Sequence, residues 1–247
     1  HMFTDPEAQR DVAMAIQNGK FSDKKSLDIF YYNEKVLNEL IKNLEVFKDP
    51  EAQKTMAKVI NDGYFGRYIT FDSYINVTNS DTLCAIAKKL HMFTDPEAQR
   101  DVAIAISRGK FGKDKKVLCA IAKKLRMFTD QTAREELSYA LVLNLFGKDK
   151  EVLDELIENL DVFLKSAVGQ QNVALAIAQG KFGDDEEVLK KLQSNLHMFT
   201  DPSAKIDIMK AMLLGKFGND PKKLANLLPD QKLIIYGTFL KGWFGSD

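Results

Sequence analysis

The sequence contains few of the residues on which catalytic and metal sites are built. Its 247 residues include three histidines and two cysteines, and two cysteines do not make a disulfide framework. It has no Cys-x-x-Cys pair, no Gly-x-x-x-x-Gly-Lys phosphate loop and no nucleophile elbow. We therefore expect a protein that is not an enzyme, without catalytic residues, a metal site or a cofactor.

An excess of one charge and a long apolar run are also missing. Lysine plus arginine and aspartate plus glutamate number 35 each, so the formal net charge is zero. This balance argues against a protein whose whole surface attracts polyanions. No apolar run approaches the roughly 18–20 residues that cross a bilayer, and the first residues are not a signal peptide. We expect no membrane insertion, and the unpaired cysteines favour an intracellular location.

A tandem repeat dominates the sequence. The string Met-Phe-Thr-Asp occurs four times, and weaker copies of it lie between. A second string, of the form Gly-Lys-Phe, follows the first. Its phenylalanine lies 18 residues after the phenylalanine of the first string in five of the six units, and 19 residues after it in unit five. This periodicity predicts one helical-repeat domain over residues 1–247. Its six units start near residues 3, 47, 93, 128, 163 and 199, and a half unit spans 229–247.

Each unit has the pattern of two short helices. In the third unit, the stretch Thr94-Asp95-Pro96-Glu97 offers a capping oxygen, a proline suited to a first helical turn and an early acidic residue. Gly109 suits the left-handed position after a last turn, and Asp114 begins a second helix with one apolar face. Two such helices cannot bury their apolar faces alone, so neighbouring units should stack. The pattern predicts an all-α fold, an α-solenoid of stacked two-helix repeats of 35 to 46 residues.

The repeat resembles the tetratricopeptide and pentatricopeptide classes in its length and its helical-hairpin form. The tryptophan, Leu-Gly and tyrosine signature of the tetratricopeptide class is missing from every unit. The resemblance therefore implies an α-helical hairpin repeat of that general kind, and no specific family.

The first two units carry insertions. They exceed units three and four by 9 and 11 residues, and the extra residues fall between the two helices. The insertion of unit two is β-branched and aromatic and could be extended. Both should emerge at one edge of the array, where insertions often mark a binding face; alternatively, the aromatic residues form a satellite core. The predicted partner-binding residues are Tyr31, Tyr32, Tyr64, Arg67, Tyr68, Phe71 and Tyr74.

A lysine recurs beside the predicted start of the second helix. Helix N-termini attract anions, so these lysines could follow a phosphate chain. Aspartates at the same edge compete for those N-termini, and residues 151–200, with nine acidic and four basic residues, interrupt the row. The lysines are Lys20, Lys110, Lys181 and Lys216.

These patterns favour a non-enzymatic scaffold that binds a protein or peptide on the solenoid surface and the aromatic insertions. The alternative is a nucleic-acid-binding helical repeat protein that uses the lysine edge. Polyanion binding should weaken steeply with salt, whereas binding at an aromatic peptide site should not. The last predicted helix, with Leu233, Ile234, Ile235 and Tyr236, is apolar on more than one side. It therefore also allows end-to-end self-association.

Overall fold

A computed structural model of the protein describes the backbone of most of the repeat array. The described backbone covers residues 4–19, 22–26, 29–32, 34–63, 68–70, 73–77 and 80–213. Side chains are described for residues 4–19, 38–63 and 80–212. The predicted second helix of unit six and the half unit 229–247 lie outside the described residues.

The chain alternates long and short helices, as the repeat predicts. The first helix of each unit has 12 residues, and the second helices of units one to five have eight or nine. In chain order the elements are α1 (Pro6–Gln17), β1 (Ser22–Ser26), β2 (Ile29–Tyr32), α2 (Glu34–Lys42), α3 (Pro50–Asn61), β3 (Tyr68–Thr70), β4 (Ser73–Val77), α4 (Ser80–Lys88), α5 (Pro96–Ser107), α6 (Lys115–Ala122), α7 (Gln131–Val142), α8 (Lys150–Glu158), α9 (Leu160–Phe163), α10 (Ala167–Ala178), α11 (Glu186–Ser194) and α12 (Pro202–Leu213).

The helices pack as two rows. The first helices α1, α3, α5, α7, α10 and α12 each contact the next one in that order, and so do the second helices α2, α4, α6, α8 and α11. Buried residues of both rows form one continuous hydrophobic core. The repeated phenylalanines are part of it, and Phe93, Phe128, Phe163 and Phe199 are almost completely buried. The all-α fold is therefore confirmed for the packed body of the protein.

Capping residues set the helix bounds as predicted. The Asp95 carboxylate accepts hydrogen bonds from the backbone N–H groups of Glu97 and Ala98 at the start of α5. Asp114 caps α6 in the same way. Gly109 follows α5 with a φ of 70°, a conformation that costs glycine nothing because it has no Cβ.

Both insertions contain an antiparallel β-hairpin. Strand β1 pairs with β2, and β3 pairs with β4. The extended conformation considered for unit two is thus present, and unit one has it as well. Strands β2 and β3 are in contact, so the two insertions are neighbours, as predicted. The all-α description applies to the helical body and not to these hairpins.

Buried glutamines join each unit to the next. The Oε1 atom of Gln99 in α5 accepts hydrogen bonds from the backbone N–H groups of Thr129 (2.8 Å) and Asp130 (3.0 Å) in unit four. Its Nε2 atom donates to the carbonyl oxygens of Phe93 (3.0 Å) and Met127 (3.2 Å). Equivalent bonds to the next unit recur, and we call this set the glutamine ladder: Gln9, Gln53, Gln99 and Gln170.

The ladder is interrupted between units four and five. Arg134 takes the glutamine position in α7, where its Nε donates to the Phe128 carbonyl oxygen, and a guanidinium has no acceptor for the next unit. Unit five also contains the extra residue that lengthens its spacing to 19. A Cβ on Gly169 in α10 would overlap the carbonyl oxygen of Phe163. The extra residue therefore brings backbone so close to α10 that only glycine fits there.

Candidate interaction surface

The predicted aromatic site lies on the two hairpins. Tyr31 and Tyr32 belong to β2, Tyr68 to β3 and Tyr74 to β4. Because β2 and β3 are in contact, the backbones of Tyr31, Tyr32 and Tyr68 lie on neighbouring strands. The other three predicted residues, Tyr64, Arg67 and Phe71, lie outside the described residues. Whether these side chains bind a partner or form a satellite core stays a prediction.

The lysine edge is engaged in contacts between units. The Lys110 side chain lies over Gly63 of the preceding unit, where an added Cβ would be 3.5 Å from its Cδ, and Lys181 lines a small cavity together with Asn144 of the preceding unit. Both lysines are half-buried. The Nζ atom of Lys115, next to the cap of α6, is 3.2 Å from the Asp149 carboxylate that caps α8. Of the four predicted lysines, Lys20 and Lys216 lie outside the described residues.

The groups with chemical reactivity are dispersed or buried. His91 and His197 are exposed on separate units, and no cluster of three metal-binding side chains occurs within the described part of the chain. Cys84 and Cys119 are free and buried, and burial raises the pKa of the Cys119 thiol. Among residues with described structure, no helix is long and apolar enough to cross a bilayer.

An exposed apolar surface runs along the row of first helices. The described large apolar side chains that are most exposed all lie on these helices or directly after them, with 39 to 48% of their surface accessible. Met14 is alone on α1, and the other five lie on units four to six. We call these five residues the apolar patch: Tyr139, Leu143, Val168, Leu175 and Ile206.

Helix geometry places the patch on one face. Counted from the first residue of each first helix, Val168 is at position 2 and Ile206 is at position 5. Tyr139 and Leu175 are at position 9, and Leu143 is at position 13. At about 100° per residue, these positions lie within about 80° of one another. Because α7, α10 and α12 pack in sequence, equivalent positions are about 10 Å apart. The patch therefore extends across three neighbouring helices.

Units one to three present charges on the same face. At position 5 they carry Arg10, Lys54 and Arg100. Each cation pairs with a carboxylate of the next unit, at N–O distances of 3.2, 3.0 and 2.9 Å. The first half of the face is therefore an array of ion pairs between units, and the second half is mainly apolar.

Two carboxylates flank the apolar patch. Glu135 and Glu136 occupy positions 5 and 6 of α7, and neither forms an ion pair with a basic residue in the described part of the chain. Glu135 accepts a hydrogen bond from Gln131, and Glu136 accepts one from Ser107 at 3.3 Å. These bonds leave the charge of both groups uncompensated by a neighbouring cation. Within the apolar half of the face, α7 therefore carries two carboxylates that the described residues leave unpaired, α10 carries no charged residue, and on α12 Lys210 pairs with Asp207.

Another carboxylate on this face opposes folding at neutral pH. Burial raises the pKa of Asp101 in α5, and Glu97 and Asp62 raise it further, although Lys58 acts in the opposite direction. Because the folded state then binds the proton more tightly than the unfolded state, ionisation destabilises the fold. This cost is present above the folded-state pKa and disappears as the pH falls towards the unfolded-state value, about 4.

We expect Asp101→Asn to raise the free energy of unfolding at pH 7 and to give no gain below about pH 4, since asparagine does not ionise. Asp130→Asn is the matched control, because the hydrogen bond from Arg100 lowers the Asp130 pKa and its removal should destabilise the protein at pH 7. Urea unfolding of both variants at the two pH values is the measurement. A shift of the same sign at pH 7 for both would contradict this account of Asp101.

The apolar patch was not among the sequence predictions. Its residues stand in helices whose apolar positions were attributed to the core, and exposure depends on which helix face each neighbour covers. A signal existed at position 9, where Met14, Lys58, Ile104, Tyr139, Leu175 and Lys210 align, because two units place lysine where the others place a large apolar residue. No known protein family, curated protein or solved structure matches the chain.

Proposed function

We propose that this protein is a non-enzymatic repeat scaffold that binds a segment of another protein on the first-helix face of units four to six. The observation that carries the proposal is the apolar patch, with five large side chains about 40 to 50% exposed on three packed helices. The largest apolar patch on the surface of a soluble protein is often functional. None of these five exposed side chains is needed to fill the buried core.

The same array shows that a polar face is compatible with this fold. Unit six carries Lys210 at position 9, where units four and five carry Tyr139 and Leu175, and unit one carries Arg10 at position 5, where unit five carries uncharged Gln171. Apolar residues at position 9 of units four and five therefore do not follow from the repeat. Tyrosine and leucine side chains on an open face are suited to bury apolar groups of a partner.

The hairpins of units one and two remain a second proposed contact surface. Tyrosine provides a large contact area with few rotatable bonds, and the contact between β2 and β3 supports a joint surface there. A partner long enough to reach both surfaces would gain affinity from each. The kinship with tetratricopeptide- and pentatricopeptide-like solenoids is likewise proposed, from the stacked helical hairpins.

The test is a selection of random peptides displayed on phage. We expect the wild-type protein to enrich peptides whose binding falls roughly 30-fold or more in the double variant Tyr139→Glu, Leu175→Glu, because each side chain acts as an interface contact worth about 1 kcal/mol or more. Both residues are exposed, so the melting temperature should stay close to that of the wild type.

Met14→Glu is the matched control for this selection. Met14 also stands at position 9 and is 47% exposed, but it lies on α1, outside the apolar patch. Its substitution should leave peptide binding unchanged. The proposal is wrong if no peptide is enriched, or if the enriched peptides bind the double variant as well as they bind the wild type.

A further inference from the structure

We infer that the bound segment is an extended, basic peptide that crosses the first helices and presents an apolar side chain at every third residue. This inference rests on the proposed function and specifies the chemistry of its partner. Three features of the face support it: the direction of the apolar row, the amide side chains beside it and its uncompensated charge.

The apolar row runs across the helices. Position 9 is apolar in three successive units, occupied by half-buried Ile104 and exposed Tyr139 and Leu175. Packed helix axes lie about 8–10 Å apart, which sets the distance between these side chains. An extended chain of the polyproline II type advances about 9 Å in three residues and returns to the same side. A β-strand instead presents one face every second residue, after about 6.7 Å. A spacing of three residues therefore matches the array.

Amide side chains lie beside the row and suit an extended backbone. Gln171 and Asn172 precede Leu175 by one helical turn, and Gln179 follows it by one turn. Gln171 donates one hydrogen bond to Asp201, and Asn172 donates one to Ser138. An amide group carries a second N–H and a carbonyl oxygen besides. An extended peptide has backbone N–H and C=O groups that need such partners, whereas a helix satisfies its own.

The charge of the face selects a basic peptide. Glu135 and Glu136 flank Tyr139 without a basic partner in the described residues, unlike the carboxylates that pair with the position-5 cations of units one to three. The neighbouring first helix α10 carries no charged residue, so it supplies no cation to compensate these two glutamates. Lysine or arginine between the apolar residues of a peptide would pair with these carboxylates, and an acidic peptide would be repelled.

Four fluorescein-labelled 12-residue peptides of matched size test the inference by fluorescence anisotropy. The first has leucine at every third position with lysine and glutamine between, and the second has the same composition with leucine at alternate positions. The third replaces the lysines of the first with glutamate, and the fourth arranges the first composition as an amphipathic helix. We expect the first peptide to bind at least tenfold more tightly than each of the others.

Charge reversal provides the second half of the test. The double variant Glu135→Lys, Glu136→Lys should lose its preference for the basic peptide over the glutamate peptide. It should still bind the peptide with leucine at every third position more tightly than the peptide with leucine at alternate positions. Equal binding of the first and second peptides, or best binding of the helical peptide, would overturn the inference. If the phage selection still yields peptides that depend on Tyr139 and Leu175, the proposed function stands while this inference falls. If it yields none, both fall.

Discussion

Replacing Gln99 with alanine should lower the free energy of unfolding by about 3 kcal/mol, because the change leaves buried backbone groups without hydrogen-bond partners. The N–H groups of Thr129 and Asp130 would lose their acceptor. The carbonyl oxygens of Phe93 and Met127 would lose a donor. These groups belong to two units, so the loss falls on the junction between units three and four. Urea unfolding followed by circular dichroism measures it.

Two further variants separate the effect of the lost hydrogen bonds from the effect of lost packing and from the effect of removing any glutamine side chain. Gln99→Met keeps the length of the side chain and removes its hydrogen bonds, so it should lose most of the same stability. Gln171→Ala removes an exposed glutamine that also reaches the next unit, through Asp201, and should cost less than about 0.5 kcal/mol. A Gln99→Met protein as stable as the wild type would refute the role of the glutamine ladder.

Gly169→Ala should destabilise the protein by about 2 kcal/mol, although alanine is the better helix former. Gly169 lies inside α10, where helix propensity alone predicts a gain of about 1 kcal/mol. The added Cβ would overlap the carbonyl oxygen of Phe163, and the backbone would have to move. Thermal and urea unfolding of the variant measure the sign of the effect directly.

Ala98→Gly is the control for this substitution, because Ala98 occupies the same position in α5. It should also destabilise the protein, by about 1 kcal/mol, through helix propensity. Opposite substitutions at equivalent positions would then both be unfavourable. A more stable Gly169→Ala protein would show that the extra residue of unit five does not constrain α10.

The sequence pattern was sufficient to predict the helical body. Repeated phenylalanines gave the register of the units, and Asp95, Gly109 and Asp114 marked helix ends that the structure confirms. These signals act locally, through capping bonds and backbone conformation, and can be read from a few consecutive residues. The insertions were placed correctly for the same reason, because both markers bracket them.

The glutamine ladder and the apolar patch depend on contacts between units. Gln99 reads as a polar residue on a helix, and only the packing of the next unit shows that it is buried and bonded across the junction. From the sequence, Tyr139 and Leu175 would be assigned to the core. The packing of the two helix rows leaves their side of the first helices uncovered, so both side chains are exposed. The 19-residue spacing of unit five is visible in the sequence. The close approach of the Phe163 carbonyl oxygen to Gly169 that accompanies it is visible only in the structure.

The most direct test of the central claim is to locate a bound peptide on the protein. A photoreactive diazirine on an apolar residue of a phage-selected peptide would be activated in the complex, and mass spectrometry would identify the crosslinked residues. We expect crosslinks to α7, α10 and α12, and their loss in the Tyr139→Glu, Leu175→Glu variant. Crosslinks confined to the insertions at 20–33 and 64–79, or to the second-helix row, would contradict the account.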